Sequence, residues 1–422
     1  MEDKMGMNDT PKGERLHIAL FGRRNAGKSS IINAITGQDL AIVSDIKGTT
    51  TDPVYKAMEL LPLGPVMIVD TPGLDDEGAL GQERIKKAKT VLNKTDIALI
   101  IADGLTACED MSFEKEILSL VEKKKIPHLV VLNKQDTFTE KEAEISALGD
   151  ICVSAATGYH IHELKETISQ IVPVDDEKLQ IVGDLLNPGD FAVLVVPIDK
   201  AAPKGRLILP QQQTIRDILE ADATAIVVKE YALKNTLANL GKKPKLVITD
   251  SQVFAKVSAD TPDDILLTSF SILFARYKGD LKTLISGVRA VEGLKDGDRI
   301  LMAEGCTHHR QCDDIGTVKI PRWLLAHTGK KLIFETSSGG GFPEDLSGYS
   351  LIVHCGGCTL GKKEMAFRLA QAKDQNIPIV NYGILIAYMQ GILERSVEPF
   401  PEISALISGK TPGSDTFSQS PR

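Results

Sequence analysis

The run Gly22-Arg23-Arg24-Asn25-Ala26-Gly27-Lys28-Ser29 spells GxxxxGKS. A loop of this kind, followed by a helix, turns successive backbone N–H groups and a positive helix end toward phosphate oxygens. Lys28 is placed to reach the β- and γ-phosphates and Ser29 to bind Mg²⁺, with Gly22, Asn25, Ala26, Gly27 and Ser30 completing the cradle. Downstream, Asp70-Thr71-Pro72-Gly73 offers a carboxylate for a water-mediated grip on the same Mg²⁺ and a glycine N–H for the γ-phosphate. In Gly48-Thr49-Thr50-Thr51-Asp52, Thr50 is the preferred residue to close over Mg²⁺ and the γ-phosphate as a switch. Asn133-Lys134-Gln135-Asp136 is NKxD, whose Asp136 carboxylate can accept two hydrogen bonds from guanine; adenine lacks that donor pair. Ser154-Ala155-Ala156 adds a backbone N–H for the guanine oxygen. A second NKxD, Asn93-Lys94-Thr95-Asp96, precedes a strand instead of following one, so it reads as a helix end and turn. The chemistry implied is Mg²⁺-dependent hydrolysis of GTP, with Lys28, Thr50 and Gly73 at the reacting phosphate. Leu74 follows the glycine where Ras-like switches place a water-orienting glutamine.

A second constellation lies late in the chain. Cys306-Thr307-His308 closes one apolar run, RILMAEG, and His354-Cys355-Gly356-Gly357-Cys358 closes another, SLIV. The Gly-Gly pair lets backbone amides point at sulfur, and a helix beginning near Lys362 turns its positive end the same way, favouring thiolates. Three cysteines at one locus fit an iron–sulfur cluster with a non-cysteine or open fourth position. Structural zinc with a Cys₃His set and plain buried thiols are the rival readings. Cys312 reads as a bystander, and Cys152, in an apolar strand, as core.

Both constellations need strands that deliver them to one sheet edge. The runs LHIALF, VMIV, IALIIADG, HLVVL and ICV alternate with amphipathic helices through residues 15–173, the pattern of a parallel sheet with crossovers. A second alternating block covers 179–262, with Pro203–Gln213 (PKGRLILPQQQ) read as a loop. A third, 263–408, begins at ILLTSF; residues 1–14 and 409–422 read as tails. The fold class expected is α/β: a P-loop domain followed by two smaller α/β domains with mainly parallel sheets. Hydrophobic residues at 42% and charged residues at 25% suit a globular protein, and a net charge of −8 argues against nucleic acid as a partner. Apolar runs too short to span a bilayer and a polar N-terminus point away from membranes and toward a cytoplasmic chain with reduced cysteines.

The first ~170 residues, one domain's worth, resemble the translation-factor-related GTPases, in particular the tRNA-modification and ribosome-assembly branch, where GTTRD stands near this chain's GTTTD. That resemblance implies that Asn25 helps hold a K⁺ ion and that hydrolysis is slow and K⁺-stimulated. With CxH…HCxxC added, the whole chain resembles the HydF family, the maturation GTPases of FeFe-hydrogenase. It implies a GTPase domain, a middle dimerisation domain and a C-terminal domain with a 4Fe-4S cluster on Cys306, Cys355 and Cys358. His308 and His354 are then candidates for the fourth ligand, with Glu304, Glu335 and Asp313 as rivals; the stretch between the two histidines is slightly shorter than is usual in the family. The implied role is a homodimeric scaffold that receives a diiron precursor from radical-enzyme maturases and delivers it to apo-hydrogenase. The alternative is a GTPase of RNA modification or ribosome assembly carrying a structural zinc module.

Overall fold

The structure is a computed structural model that describes residues 14–37, 53–71, 88–172, 180–197, 207–305, 314–339, 341–357 and 360–408. The chain divides into two compact units, Met1–Glu177 and Lys178–Arg422.

Among its described residues, the first unit holds strands β1 (Leu16–Phe21), β2 (Val54–Leu60), β3 (Gly64–Asp70), β4 (Ile97–Asp103), β5 (His128–Asn133) and β6 (Ile151–Cys152), ordered β2-β3-β1-β4-β5-β6. All pairs are parallel except β2 with β3. The central strands are near-continuous apolar runs because both faces are covered: β4, IALIIAD, is buried over its first six residues. On one face Ile18, Leu20 and Val66 pack with Ile31, Ile32 and Ile35 of the helix Lys28–Thr36. On the other, Phe21, Met67 and Ile100 pack with Ile117 and Val121 of the helix Ser112–Lys123. Strand β2, VYKAMEL, has no apolar run to announce it; it is an edge strand with six exposed or half-exposed residues before its buried Leu60 end.

Among its described residues, the second unit holds two four-stranded parallel sheets. One contains β7 (Phe191–Val195), β8 (Thr224–Val228), β9 (Leu246–Thr249) and β10 (Leu266–Ser269), ordered β10-β9-β7-β8. The other contains β11 (Arg299–Glu304), β12 (Ile333–Ser338), β13 (Leu351–His354) and β14 (Ile379–Asn381), ordered β12-β11-β13-β14. The expected start of the third block at residue 263 therefore places one strand on the wrong side: β10, from ILLTSF, pairs with β9 in register Leu266↔Leu246. Nor does Pro203–Gln213 end as a loop. The helix Leu209–Glu220 takes in Pro210, tolerated in a first turn, and Gln211, whose side chain accepts the Ile208 N–H at 3.1 Å.

One continuous apolar core joins the two sheets, from Val193 and Ile248 through Phe270 to Leu301, Ile352 and Val380. Polar contacts reinforce it: Asn381 Nδ2 donates to Ser271 O at 3.0 Å, and Arg395 Nη2 donates to Thr261 O at 2.7 Å. No described helix is long and apolar enough to cross a membrane.

Candidate functional site

The GxxxxGKS loop links β1 to the helix Lys28–Thr36, and its glycines are sterically required. A Cβ on Gly22 would stand 2.2 Å from Ile101 O, and one on Gly27, at φ +89°, 2.1 Å from Asn133 Nδ2. Asn25 also lies in the left-handed region, which asparagine tolerates. Lys28 is buried and curls over its own loop, donating to Gly22 O and Arg23 O, both at 2.9 Å. Ser29 Oγ donates to Asp70 Oδ2 at 2.9 Å, so the two residues expected at Mg²⁺ meet at the ends of β1 and β3. Burial pushes the Asp70 carboxyl up, opposed by the Ser29 hydroxyl and the Lys28 charge. A hydroxyl beside a half-buried carboxylate is a suitable oxygen set for this hard cation.

Asn133 serves as a tie: Nδ2 donates to Ala26 O at 3.0 Å and Oδ1 accepts the Ala155 N–H at 3.1 Å. That fastens the phosphate loop to the SAA loop. Asp136 Oδ1 accepts from Ser154 Oγ at 2.6 Å, which brings the two segments expected to read guanine together at the ends of β5 and β6. Lys134, at φ +66°, donates to Asp103 Oδ2 at 2.7 Å. The second NKxD is spent on structure: Asp96 Oδ2 accepts the His17 N–H at 2.8 Å and Asn93 Oδ1 accepts from Lys124 Nζ at 2.8 Å. Thr50, Gly73 and Leu74 lie outside the described residues.

In the second unit, parallel neighbours β11 and β13 (Ala303↔His354) carry Glu304–Gly305 and His354–Cys355 to one sheet end. Cys355 Sγ accepts N–H groups from Gly305 at 3.0 Å and Gly357 at 3.4 Å. The second was legible in the Gly-Gly pair; the first comes from the residue immediately before Cys306. Amides aimed at sulfur favour the thiolate, the form that ligates metal, so Cys355 fits an iron–sulfur or zinc ligand. Cys306, His308, Cys312, Asp313 and Cys358 lie outside the described residues, and among the described residues no group of three metal-ligating side chains is gathered.

His354 departs from expectation. It is fully buried; Nδ1 lies 2.7 Å from Cys355 O and Nε2 lies 3.0 Å from Arg368 Nη1. A guanidinium can only donate, so Nε2 carries the lone pair and Nδ1 the proton. Burial, then the charge of Arg368, pushes the imidazole down to about 4. With both nitrogens engaged, His354 has no lone pair to give a metal in this arrangement. Arg368 also pairs with Glu364 at 2.8 Å and donates to Gly339 O at 2.7 Å. Glu335 is held by Arg299 and by Tyr349 OH at 2.8 Å, three residues short of the end of β12. Glu304, buried at the end of β11, accepts from Tyr382 OH at 3.5 Å. Arg368 and Lys278, whose ammonium also reaches this site, were missed by sequence reasoning. Only the i, i+4 spacing of Glu364 and Arg368 hinted at either.

Three family models match the chain in succession. Residues 17–134 match a 50S ribosome-binding GTPase, 181–279 a hydrogen maturase F dimerization domain, and 282–399 a hydrogen maturase F tetramerization domain. Among curated proteins, the tRNA modification GTPase MnmE of Legionella pneumophila is 39% identical over 38% of this chain and 35% of its own length. GTPase Der of Wolinella succinogenes is 35% identical over 37% of this chain and 36% of its own. The chain thus spans about a third of the length of these relatives. Among solved structures, Era of Aquifex aeolicus is 21% identical, with a TM-score of 0.32 over 51% of this chain and 94% of that one. The first unit is a P-loop GTPase domain. The two hydrogen maturase F matches together cover more than half of the chain, in order and behind that domain, and the chain belongs to the hydrogen maturase F family.

Proposed function

We propose that this chain is a GTP-hydrolysing scaffold of FeFe-hydrogenase maturation, in which the nucleotide state of the first unit governs contacts with partner proteins. The observation that carries the reading is the presence in one chain of P-loop GTPase residues gathered at the ends of β1, β3, β5 and β6 and of a thiolate-favouring cysteine site inside the hydrogen maturase F matches. With GTP bound, Lys28 would exchange its loop carbonyls for phosphate oxygens, and Ser29 and Asp70 would hold Mg²⁺, which supplies charge stabilisation at the phosphates. Asp136 reads the base. Asn25 would hold K⁺, and Thr50 and Gly73 would contact the γ-phosphate, contacts that hydrolysis removes.

In residues 263–408, Cys306, Cys355 and Cys358 would hold a 4Fe-4S cluster, which supplies an iron able to bind an exchangeable ligand. Glu304 is the best-placed fourth ligand among the described candidates because it ends β11 beside Cys355. His354 instead orients the Cys355 peptide. The chain assembles with copies of itself, as the dimerization and tetramerization matches suggest, and hands a diiron precursor from radical-enzyme maturases to apo-hydrogenase. The RNA-directed alternative has support only from relatives of the first unit.

The test uses chain purified after co-production with the radical maturases and mixed anaerobically with apo-FeFe-hydrogenase. Hydrogen evolution should appear, and should fall when Cys355 is changed to Ala. Equal activation by wild type and Cys355→Ala would contradict the scaffold role. Equal GTP hydrolysis in K⁺ and Na⁺ would remove the role given to Asn25.

A further inference from the structure

The helix Phe270–Lys278 leaves β10 directly, with Ser269 Oγ accepting the Ile272 N–H at 3.3 Å. Its sequence, FSILFARYK, is largely apolar and ends on lysine. A lysine stem ordinarily carries its ammonium out to water, yet Lys278 is only 4% exposed. Its Nζ turns inward, donating to Gly357 O at 3.3 Å and Leu360 O at 3.0 Å, and stands 5.7 Å from the centre of the Phe274 ring. Both carbonyls belong to the loop that begins at Cys355 and leads into the helix Lys362–Asp374. The negative end of its own helix adds to the stabilisation of this cation.

We infer that Lys278 is a positioning residue of the cysteine site: it anchors the backbone at Gly357 and Leu360, next to Cys355, and keeps a positive charge beside the iron–sulfur cluster. This rests on the cluster reading above. By gathering the Gly357 and Leu360 carbonyls on one side, the ammonium leaves loop N–H groups to turn toward sulfur, as Gly357 N–H does toward Cys355. A cluster held by thiolates is anionic and gains further negative charge when it takes up an electron. A nearby cation in a low-dielectric interior therefore stabilises the reduced form more than the oxidised one. Lys278 falls in the dimerization match and the loop in the tetramerization match, so the loop is held from outside the segment that supplies its cysteines.

The test is anaerobic reconstitution of the full chain with ferrous iron and sulfide, for wild type, Lys278→Met, Lys278→Gln and the exposed control Lys282→Met. Midpoint potentials come from a dithionite titration read by electron paramagnetic resonance; iron retained per chain is measured after desalting. Both Lys278 variants should give a more negative potential than wild type, and Lys282→Met should not. Lys278→Met should also lose iron several-fold, while Lys278→Gln, which keeps a donor for the loop, should retain more. Wild-type potential and retention in both Lys278 variants would overturn the inference. Should Lys278→Met not fold, Lys278→Gln against the charge-keeping Lys278→Arg decides: a shift in Gln alone supports the charge, and equal potentials overturn it. A wild-type chain that stays colourless overturns the cluster reading itself; that result is distinct from coloured variants whose potential does not move.

Discussion

The chain contains two strand–glycine loop–helix turns, each with a buried lysine fastened to the carbonyls of the loop. In the first, Lys28 donates to Gly22 and Arg23, six and five residues away in sequence. In the second, Lys278 donates to Gly357 and Leu360, which are 79 and 82 residues away. The first loop carries its cation within its own motif and can surrender it to a ligand's phosphates. The second borrows its cation from another sheet's helix, where the lysine stays as a fixed part of the wall. The loop that must exchange its partner with each turnover is built locally; the loop that carries Cys355 is held by the surrounding core.

The strongest way to break this comparison is at sulfur. Cys355→Ala removes the thiol proposed as a ligand, and iron retained after reconstitution should fall to background. Next comes the buried network behind it. Arg368→Met leaves Glu364 without its buried cationic partner and should destabilise the second unit by about 3–5 kcal/mol, read from denaturant unfolding. An unchanged midpoint would show that the network is not part of the support. At the other loop, Lys28→Met removes charge stabilisation at the phosphates and should lower GTP turnover by roughly 10²–10³-fold, measured by phosphate release. Asn133→Ala breaks two buried ties between loops and should cost about 1–3 kcal/mol. Asn93→Ala, in the second NKxD, loses one exposed contact and should stay within about 0.5 kcal/mol. Equal costs for these last two would contradict the assignment of the base-reading motif by strand context.

Those two asparagines also show what could be read from sequence. The patterns are identical; only the placement of Asn133 after an apolar strand separates them, and that placement was legible. So were the parallel strands of the first unit, whose two-sided burial leaves unbroken apolar runs. Strand β2 was not, because a half-exposed edge strand needs no such run. The assignment of β10 was missed because a short apolar strand carries no mark of which sheet it will join. The same limit applies at the cysteine site. The Gly-Gly pair announced an amide aimed at sulfur, but the engagement of His354 by Arg368 and of the loop by Lys278 are contacts of the folded core. A charged residue in an apolar helix says only that it must find a partner, and His354 looked like a ligand because it stands next to a cysteine in the HCxxC run.

The central claim, that a GTPase domain here serves an iron–sulfur site, is tested most directly by metal analysis of the anaerobically reconstituted wild-type chain. The account predicts a brown protein with broad charge-transfer absorption and about four iron and four sulfide per chain. A colourless protein that excludes iron and retains one zinc per chain would contradict it.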